Sequence, residues 1–133
     1  MDAGDHEQIR TLLARYNYAM DSGDAAAWAA CFTADGAFES TGVESEPVRV
    51  EGSDLLAFAE RQHAINQGRG RHWTNNEIIE VDGDRATMTC YLLAVTTGRR
   101  IAATGVYRDE LRKVDGRWLF TLRHVDVDPP PAN

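Results

Sequence analysis

The sequence carries a histidine, an aspartate and a tyrosine whose placement suits proton transfer. His72 opens a run of strand-like alternation, Arg71-His72-Trp73-Thr74-Asn75-Asn76. An imidazole held by a carboxylate has its tautomer fixed and its basicity raised, as a general base near neutral pH requires. Asp21 is a candidate for that carboxylate. It ends the first apolar-periodic segment, where it opposes the helix dipole by a few tenths to about 1 kcal/mol. Because it flanks the apolar stripe, it is either a solvated turn residue beside Ser22-Gly23 or a carboxylate aimed at a cation inside the fold. Tyr16 lies on the stripe itself, as a core residue or as a phenol donating to a ligand oxygen. Strict alternation puts His72, Thr74, Asn76 and Ile78 on one face. Arg123, beside Leu119-Phe120-Thr121-Leu122, either binds an anionic group or forms an ion pair across the sheet.

Elements must position these groups. Ile9, Leu12, Leu13, Tyr16 and Met20 recur at the three- and four-residue spacing of an amphipathic helix. Asp2 or Asp5 is placed to cap it, and Ser22-Gly23 to stop it. Asp24 suits the cap of a short helix from Ala25 to Phe32, with Trp28, Cys31 and Phe32 inward. Short strands are expected from Ala37 to Ser40 and near Val48 to Glu51. Ser53 then caps a third helix carrying Leu55, Leu56, Phe58, Ala59 and Ile65. After it the period changes to four β-rich segments separated by Asp82-Gly83, Thr97-Gly98 and Asp115-Gly116. Helices followed by such a meander predict an α+β fold, a curved antiparallel sheet wrapped around N-terminal helices as an open cone. Its mouth is a natural small-molecule pocket. One domain over residues 1–133 is expected, its core spanning about 5–126, with residues 128–133 a loose Pro-rich tail. Trp118 is expected as a core anchor, Tyr18 at the surface, and Gly105, Tyr107 and Asp109 as framework along one strand face.

Composition narrows the function classes. With 21 acidic and 14 basic residues the net charge is −7, which argues against a nucleic-acid partner, since phosphate backbones require a basic face. No apolar run approaches the ~20 residues that span a bilayer, and the acidic N-terminus lacks the basic and apolar regions of a signal peptide. Cys31 and Cys90 sit among apolar neighbours, as buried thiols in a reducing cytoplasm do. The histidines lack close metal-ligand spacing, and Gln67-Gly68-Arg69-Gly70-Arg71 is neither a dinucleotide fingerprint nor a phosphate loop. Neither a metal nor a nucleotide cofactor is expected.

Together these stretches resemble the SnoaL-like members of the nuclear transport factor 2-like superfamily. The resemblance lies in Arg15-Tyr16 with Asp21-Ser22-Gly23-Asp24, Cys31-Phe32-Thr33-Ala34-Asp35-Gly36-Ala37-Phe38, Arg71 to Asn76, Val81-Asp82-Gly83-Asp84-Arg85-Ala86, Gly105-Val106-Tyr107-Arg108-Asp109 and Asp115-Gly116-Arg117-Trp118. It covers nearly the whole chain and implies the cone fold, which hosts many chemistries. Subgroups similar to scytalone dehydratase, bile-acid dehydratases and dehydrochlorinases use a histidine–aspartate pair, often with a tyrosine, to pull a proton from carbon. Asp21 and His72 match that pair, Tyr16 the tyrosine, Asn76 a recurrent asparagine and Arg123 a last-strand arginine. The aspartate base of ketosteroid isomerases would fall at Glu39-Ser40, where Ser40 cannot act as base and Glu39 would face the other side.

The resemblance implies a cofactor-independent lyase or isomerase, of dehydratase type, acting on a small, mostly apolar, oxygenated molecule. His72, Asp21 and Tyr16 would be catalytic, and Asn76 and Arg123 would bind substrate. A non-catalytic small-molecule-binding or accessory module of the same fold is the alternative. Apolar residues on both faces of the middle strands agree with the family's habit of dimerising through the outer face of the sheet.

Overall fold

The computed structural model describes residues 3–130, so the expected cap at Asp2 and the end of the tail lie outside the described residues. Helix α1 spans Ala3–Ser22 and buries the expected stripe, Ile9, Leu12, Leu13 and Tyr16, with Met20 packed against the core. Asp5 does not cap it. Its Oδ1 instead accepts hydrogen bonds from Lys113 Nζ and Trp118 Nε1, both at 3.0 Å, and so ties the helix to the sheet. Gly23 ends α1 at φ +81°, where a Cβ would overlap the His63 ring, so only glycine fits the exit. That exit fixes where Asp21 sits.

Asp24 caps α2 (Ala25–Ala29) by accepting the Ala27 N–H at 3.1 Å. The helix is shorter than its pattern suggests because Phe32 is taken into β1 (Phe32–Thr41), which pairs with the last strand from its first residue. Strand β2 (Val48–Glu51) and helix α3 (Asp54–Asn66) follow. Ser53 precedes α3 without a side-chain cap bond. The meander is β3 (Gly70–Asp82), β4 (Arg85–Thr96), β5 (Arg100–Val114) and β6 (Arg117–Val127). One six-stranded sheet results, in the order β2-β1-β6-β5-β4-β3. Neighbours are antiparallel except β1 and β6, which run parallel. The sheet stays unclosed and curves around the helices, giving the expected α+β cone. Asp128, expected in the loose tail, is held by Thr104, its N–H reaching the Thr104 carbonyl at 2.8 Å.

The narrow end of the cone is filled by aromatic side chains. Trp28 and Phe32 lie 4.9 Å apart by ring centroid, and Tyr16 meets Phe120 edge-on at 5.7 Å. Such pairs add about 0.5–1.5 kcal/mol each beyond their buried area. Trp118 is buried as expected, and Tyr18 is 79% exposed.

Two bulges decide which residues face inward. In β3 the register slips between Asn75 and Ile78, with Asn76 left-handed at φ +60°. His72 and Thr74 keep the inner face, but Glu77 and Ile79 replace the expected Asn76 and Ile78. In β6 a slip opposite Glu110 and Leu111 turns Arg123 and Val125 inward, where strict alternation from Trp118 and Phe120 would have put Leu122 and His124.

His124 therefore faces outward. Glu39 Oε1 lies 2.9 Å from its Nδ1 and Asp126 Oδ1 lies 2.8 Å from its Nε2, so the ring donates from both nitrogens only when protonated. Burial works against that charge, but the two carboxylates outweigh it and raise the His124 pKa. His124 in turn lowers the Glu39 pKa; Thr41 first and His124 second lower that of Asp126. A raised folded-state pKa stabilises the fold fully below the unfolded histidine value, and the gain is lost as pH rises through the folded one. The depressed carboxylates contribute above their unfolded values and lose that as pH falls. The difference in melting temperature between the wild type and His124→Ala is therefore greatest at mildly acid pH and shrinks as pH rises past the folded histidine value. A difference that grows with pH contradicts this account.

Candidate active site

Asp21 and His72 are 51 residues apart and meet where α1 crosses the start of β3. Asp21 Oδ1 lies 2.6 Å from His72 Nδ1, and Asp21 Oδ2 accepts the His72 backbone N–H at 3.0 Å. One carboxylate thus holds both the ring and the main chain of its partner. Because a carboxylate only accepts, Nδ1 is the donor in this contact, and in the neutral ring Nε2 then keeps its lone pair free. Asn17, one turn before Asp21, donates from Nδ2 to Thr74 Oγ1 at 3.0 Å. This contact was not anticipated from the sequence. It locks α1 to β3 at a second point, two residues from His72 on the same face.

The dyad stands in the wall of the cone. On its inner side is a cavity of about 580 Å³, lined by Tyr16, His72 and Tyr107 with apolar residues that include Met20, Phe38 and Leu92, and with the charged side chains of Glu44, Arg49 and Arg61. On its outer side His72 and Asp21 together line a groove between α1 and β3. Ser40 lines the cavity while Glu39 faces outward to His124, so neither supplies a base inside the cone. A larger recess of about 710 Å³ lies at the other end, among Glu7, Arg15, Arg117 and Trp118, and holds none of the expected site residues. No group of three or more metal-ligating side chains occurs among the described residues.

Tyr16 joins His72 in the cavity lining, which Asp21 does not reach. It is 2% exposed, and burial raises its pKa well above the ordinary phenol value, keeping it a neutral donor. Asn76 does not join them. The bulge leaves it exposed on β3, away from the cavity lining, so the structure does not bring it to His72.

This arrangement places the chain among known proteins. Residues 1–124 match the family model of the SnoaL-like domain. The chain belongs to the SnoaL-like family. Its structure is similar to that of Rv3472 from Mycobacterium tuberculosis, described as a protein of unknown function. The two share 36% identity over 93% of this chain and 72% of the other, with a TM-score of 0.81. A protein with a cystatin-like fold from Nostoc punctiforme shares 30% identity over 96% of this chain and 93% of its own, also with a TM-score of 0.81. ActVI-ORFA from Streptomyces coelicolor, 24% identical over 92% of this chain and 97% of its own with a TM-score of 0.79, shares the fold. No curated protein matches the chain.

Within this SnoaL-like cone Arg123 is a buried ion-pair residue with no surface in the cavity lining. It is 0% exposed, and its Nε lies 3.1 Å from Asp109 Oδ1. The contact is close but poorly aligned, so Asp109 Oδ1 and Oδ2 and Arg123 Nε and Nη1 all lack a hydrogen-bond partner of good geometry. Burial pushes the Asp109 carboxyl up to about 6 against the pull of Arg123. The effective cost of burying such ions is several kcal/mol each, and their attraction offsets it only in part. Sequence reasoning assigned Asp109 to the framework without naming its partner. The register that pairs Asp109 with Arg123 across β5 and β6 could not be read before the β6 bulge was known. Cys31 and Cys90 are free and buried, and burial pushes their thiols up to about 11 and about 12, which makes them inert at neutral pH.

Proposed function

We propose that the cavity houses a cofactor-independent lyase or isomerase, of dehydratase type, acting on a small apolar molecule that carries a carbonyl and a β-hydroxyl, of polyketide-, terpenoid- or steroid-like kind. Membership of the SnoaL-like family, within the nuclear transport factor 2-like enzymes, supports this reading. The observation that carries it is the 2.6 Å Asp21–His72 contact in the wall of a cavity lined mostly by apolar side chains. In the proposed reaction His72 Nε2 takes the proton alpha to the carbonyl as that C–H bond breaks. The electron pair moves onto the carbonyl oxygen, where Tyr16 donates a hydrogen bond. Asp21 stabilises the imidazolium that forms. As the carbon–carbon double bond forms, the β C–O bond breaks, and the proton on His72 leaves with hydroxide as water. A positioned base contributes about 10²–10⁴ in rate, and an oxyanion donor such as Tyr16 about 10²–10³. A ligand bound without turnover, the accessory-module alternative, is an outcome of the test below.

The quaternary state and location belong to the same proposal. The outer face of β3, β4 and β5 exposes Trp73, Tyr91, Leu93 and Ile101, a contiguous apolar patch of the kind that marks an interface. We assign it to a second copy of this chain, giving a homodimer whose cavities remain open. The acidic charge argues against a nucleic-acid partner, no helix among the described residues is long and apolar enough to cross a membrane, and the free buried thiols suit the cytoplasm. Size-exclusion chromatography with light scattering is expected to give a dimer that Trp73→Glu converts to monomer. A monomeric wild type at micromolar concentration contradicts the assignment.

The reaction is tested with a panel of apolar β-hydroxy ketones incubated in D2O, following loss of the α-proton signal by NMR and loss of water by mass. The expected result is exchange or elimination on at least one compound, reduced about 10²–10⁴-fold in His72→Ala with a melting temperature near that of the wild type. Unchanged rates in His72→Ala, or tight retention of a compound with neither exchange nor elimination, contradict the proposal.

A further inference from the structure

The floor of the cavity contains a feature that the His72–Asp21 chemistry does not use. Tyr107, on β5, lines the cavity together with Tyr16, on α1. Behind both rings lies the Arg123 guanidinium, its central carbon 3.5 Å from the Tyr107 centroid and 4.4 Å from the Tyr16 centroid. Arg123 itself does not reach the cavity. Its Nη2 lies 3.6 Å from Cys90 Sγ, and its Nη1 has no hydrogen-bond partner. A charge so poorly satisfied is not explained by stability, because apolar residues of similar volume often replace buried ion pairs without loss. Its closest contacts with anything that touches a ligand are the faces of the two phenols.

A cation against a ring face draws electron density from it and makes the hydroxyl a stronger donor. Burial holds both phenols protonated, raising Tyr107 to about 12, and at each ring the opposing effect of Arg123 exceeds the effect of Asp109. The two phenols are close enough that each enters the other's proton affinity.

We propose that Tyr107 and Tyr16 form a two-donor site for a ligand oxygen that bears or develops negative charge, with Arg123 as a positioning residue that holds and polarises both phenols from behind. The ligand class is an enolate or phenolate on an apolar ring or chain, its oxygen on the cavity floor and its acidic carbon toward His72. This rests on the reading of the cavity as the ligand site, and adds Tyr107 and Arg123 to it.

The test uses 4-nitrophenol, whose anion absorbs in the visible, with neutral 4-nitroanisole as a probe of the cavity alone. Bound 4-nitrophenol is expected to ionise at least one pH unit below its free value. Tyr107→Phe and Tyr16→Phe should each weaken binding of the anion about tenfold and leave 4-nitroanisole binding unchanged. Arg123→Met should abolish the lowered ionisation while 4-nitroanisole still binds, a separation that a merely structural arginine would not produce. If Arg123→Met fails to fold, the tyrosine variants decide alone. In His72→Ala the lowered ionisation should persist. Its loss there would mean that the imidazole holds the anion, which overturns the two-phenol site but leaves the cavity reading intact. Anion binding unaffected by Tyr107→Phe also overturns it. Failure of the wild type to bind either probe overturns the cavity reading, and this inference with it.

Discussion

The chemistry proposed here depends on one carboxylate serving two donors on the same residue. Asp21 accepts both the backbone N–H and the ring Nδ1–H of His72. The first bond fixes where β3 begins relative to α1, and the second fixes the plane and tautomer of the imidazole. An asparagine at this position has a single acceptor oxygen and could satisfy only one of the two donors. The constraint runs backward through the fold. Asp21 can occupy that point only because Gly23 turns the chain where no Cβ would fit beside His63, and because Asn17 holds the preceding turn to Thr74. The strand start, the helix end and the base are therefore one structural unit.

Around that unit the cone separates two polar arrangements by depth. At the wall, His72 lines both the cavity and the outer groove, and Asp21 lines the groove alone. At the floor, Asp109 and Arg123 are sealed from water and act only through what they touch. Beside them lies the cavity of about 580 Å³, its lining apolar for the most part. Division of this kind gives a site a mobile proton at one end and a fixed electrostatic environment at the other, so little reorganisation is needed as charge develops. The outer face of the sheet contributes to neither. Its His124 network ties β1 to β6, and its apolar side chains lie exposed.

Much of this was legible in the sequence, and the failures fall where bulges or distant contacts override local periodicity. The α1 stripe, the Asp24 cap, the four long strands and their glycine turns follow from local periodicity and turn chemistry, which a single chain displays directly. Tyr16, Asp21 and His72 could be singled out because each lies on an element whose face is set by that periodicity up to the residue concerned. Asn76 was misplaced because a bulge at its own position ends the alternation that put it beside His72. Arg123 could be placed opposite His124 but not inside or outside, because the β6 bulge precedes it. Tyr107 shares the expected face with Gly105 and Asp109 because the β4–β5 register slip, opposite Ile101 and Ala103, precedes all three, yet its exposure to the cavity depends on how far the helices cover the sheet, which no local pattern encodes. Likewise β1 was read too short because its pairing partner, Phe120, lies 88 positions further along the chain.

The central claim is that Asp21 fixes the tautomer of His72, with the proton on Nδ1 and Nε2 free to act as base, and nitrogen-15 NMR of the histidine side chains measures this directly. At a pH where the imidazole is neutral, His72 is predicted to show one nitrogen in the protonated range, assigned to Nδ1, and the other in the unprotonated range, assigned to Nε2. In Asp21→Asn that separation should collapse toward the averaged shifts of a free imidazole. A wild-type His72 already averaged between tautomers, or protonated at Nε2, would contradict the account.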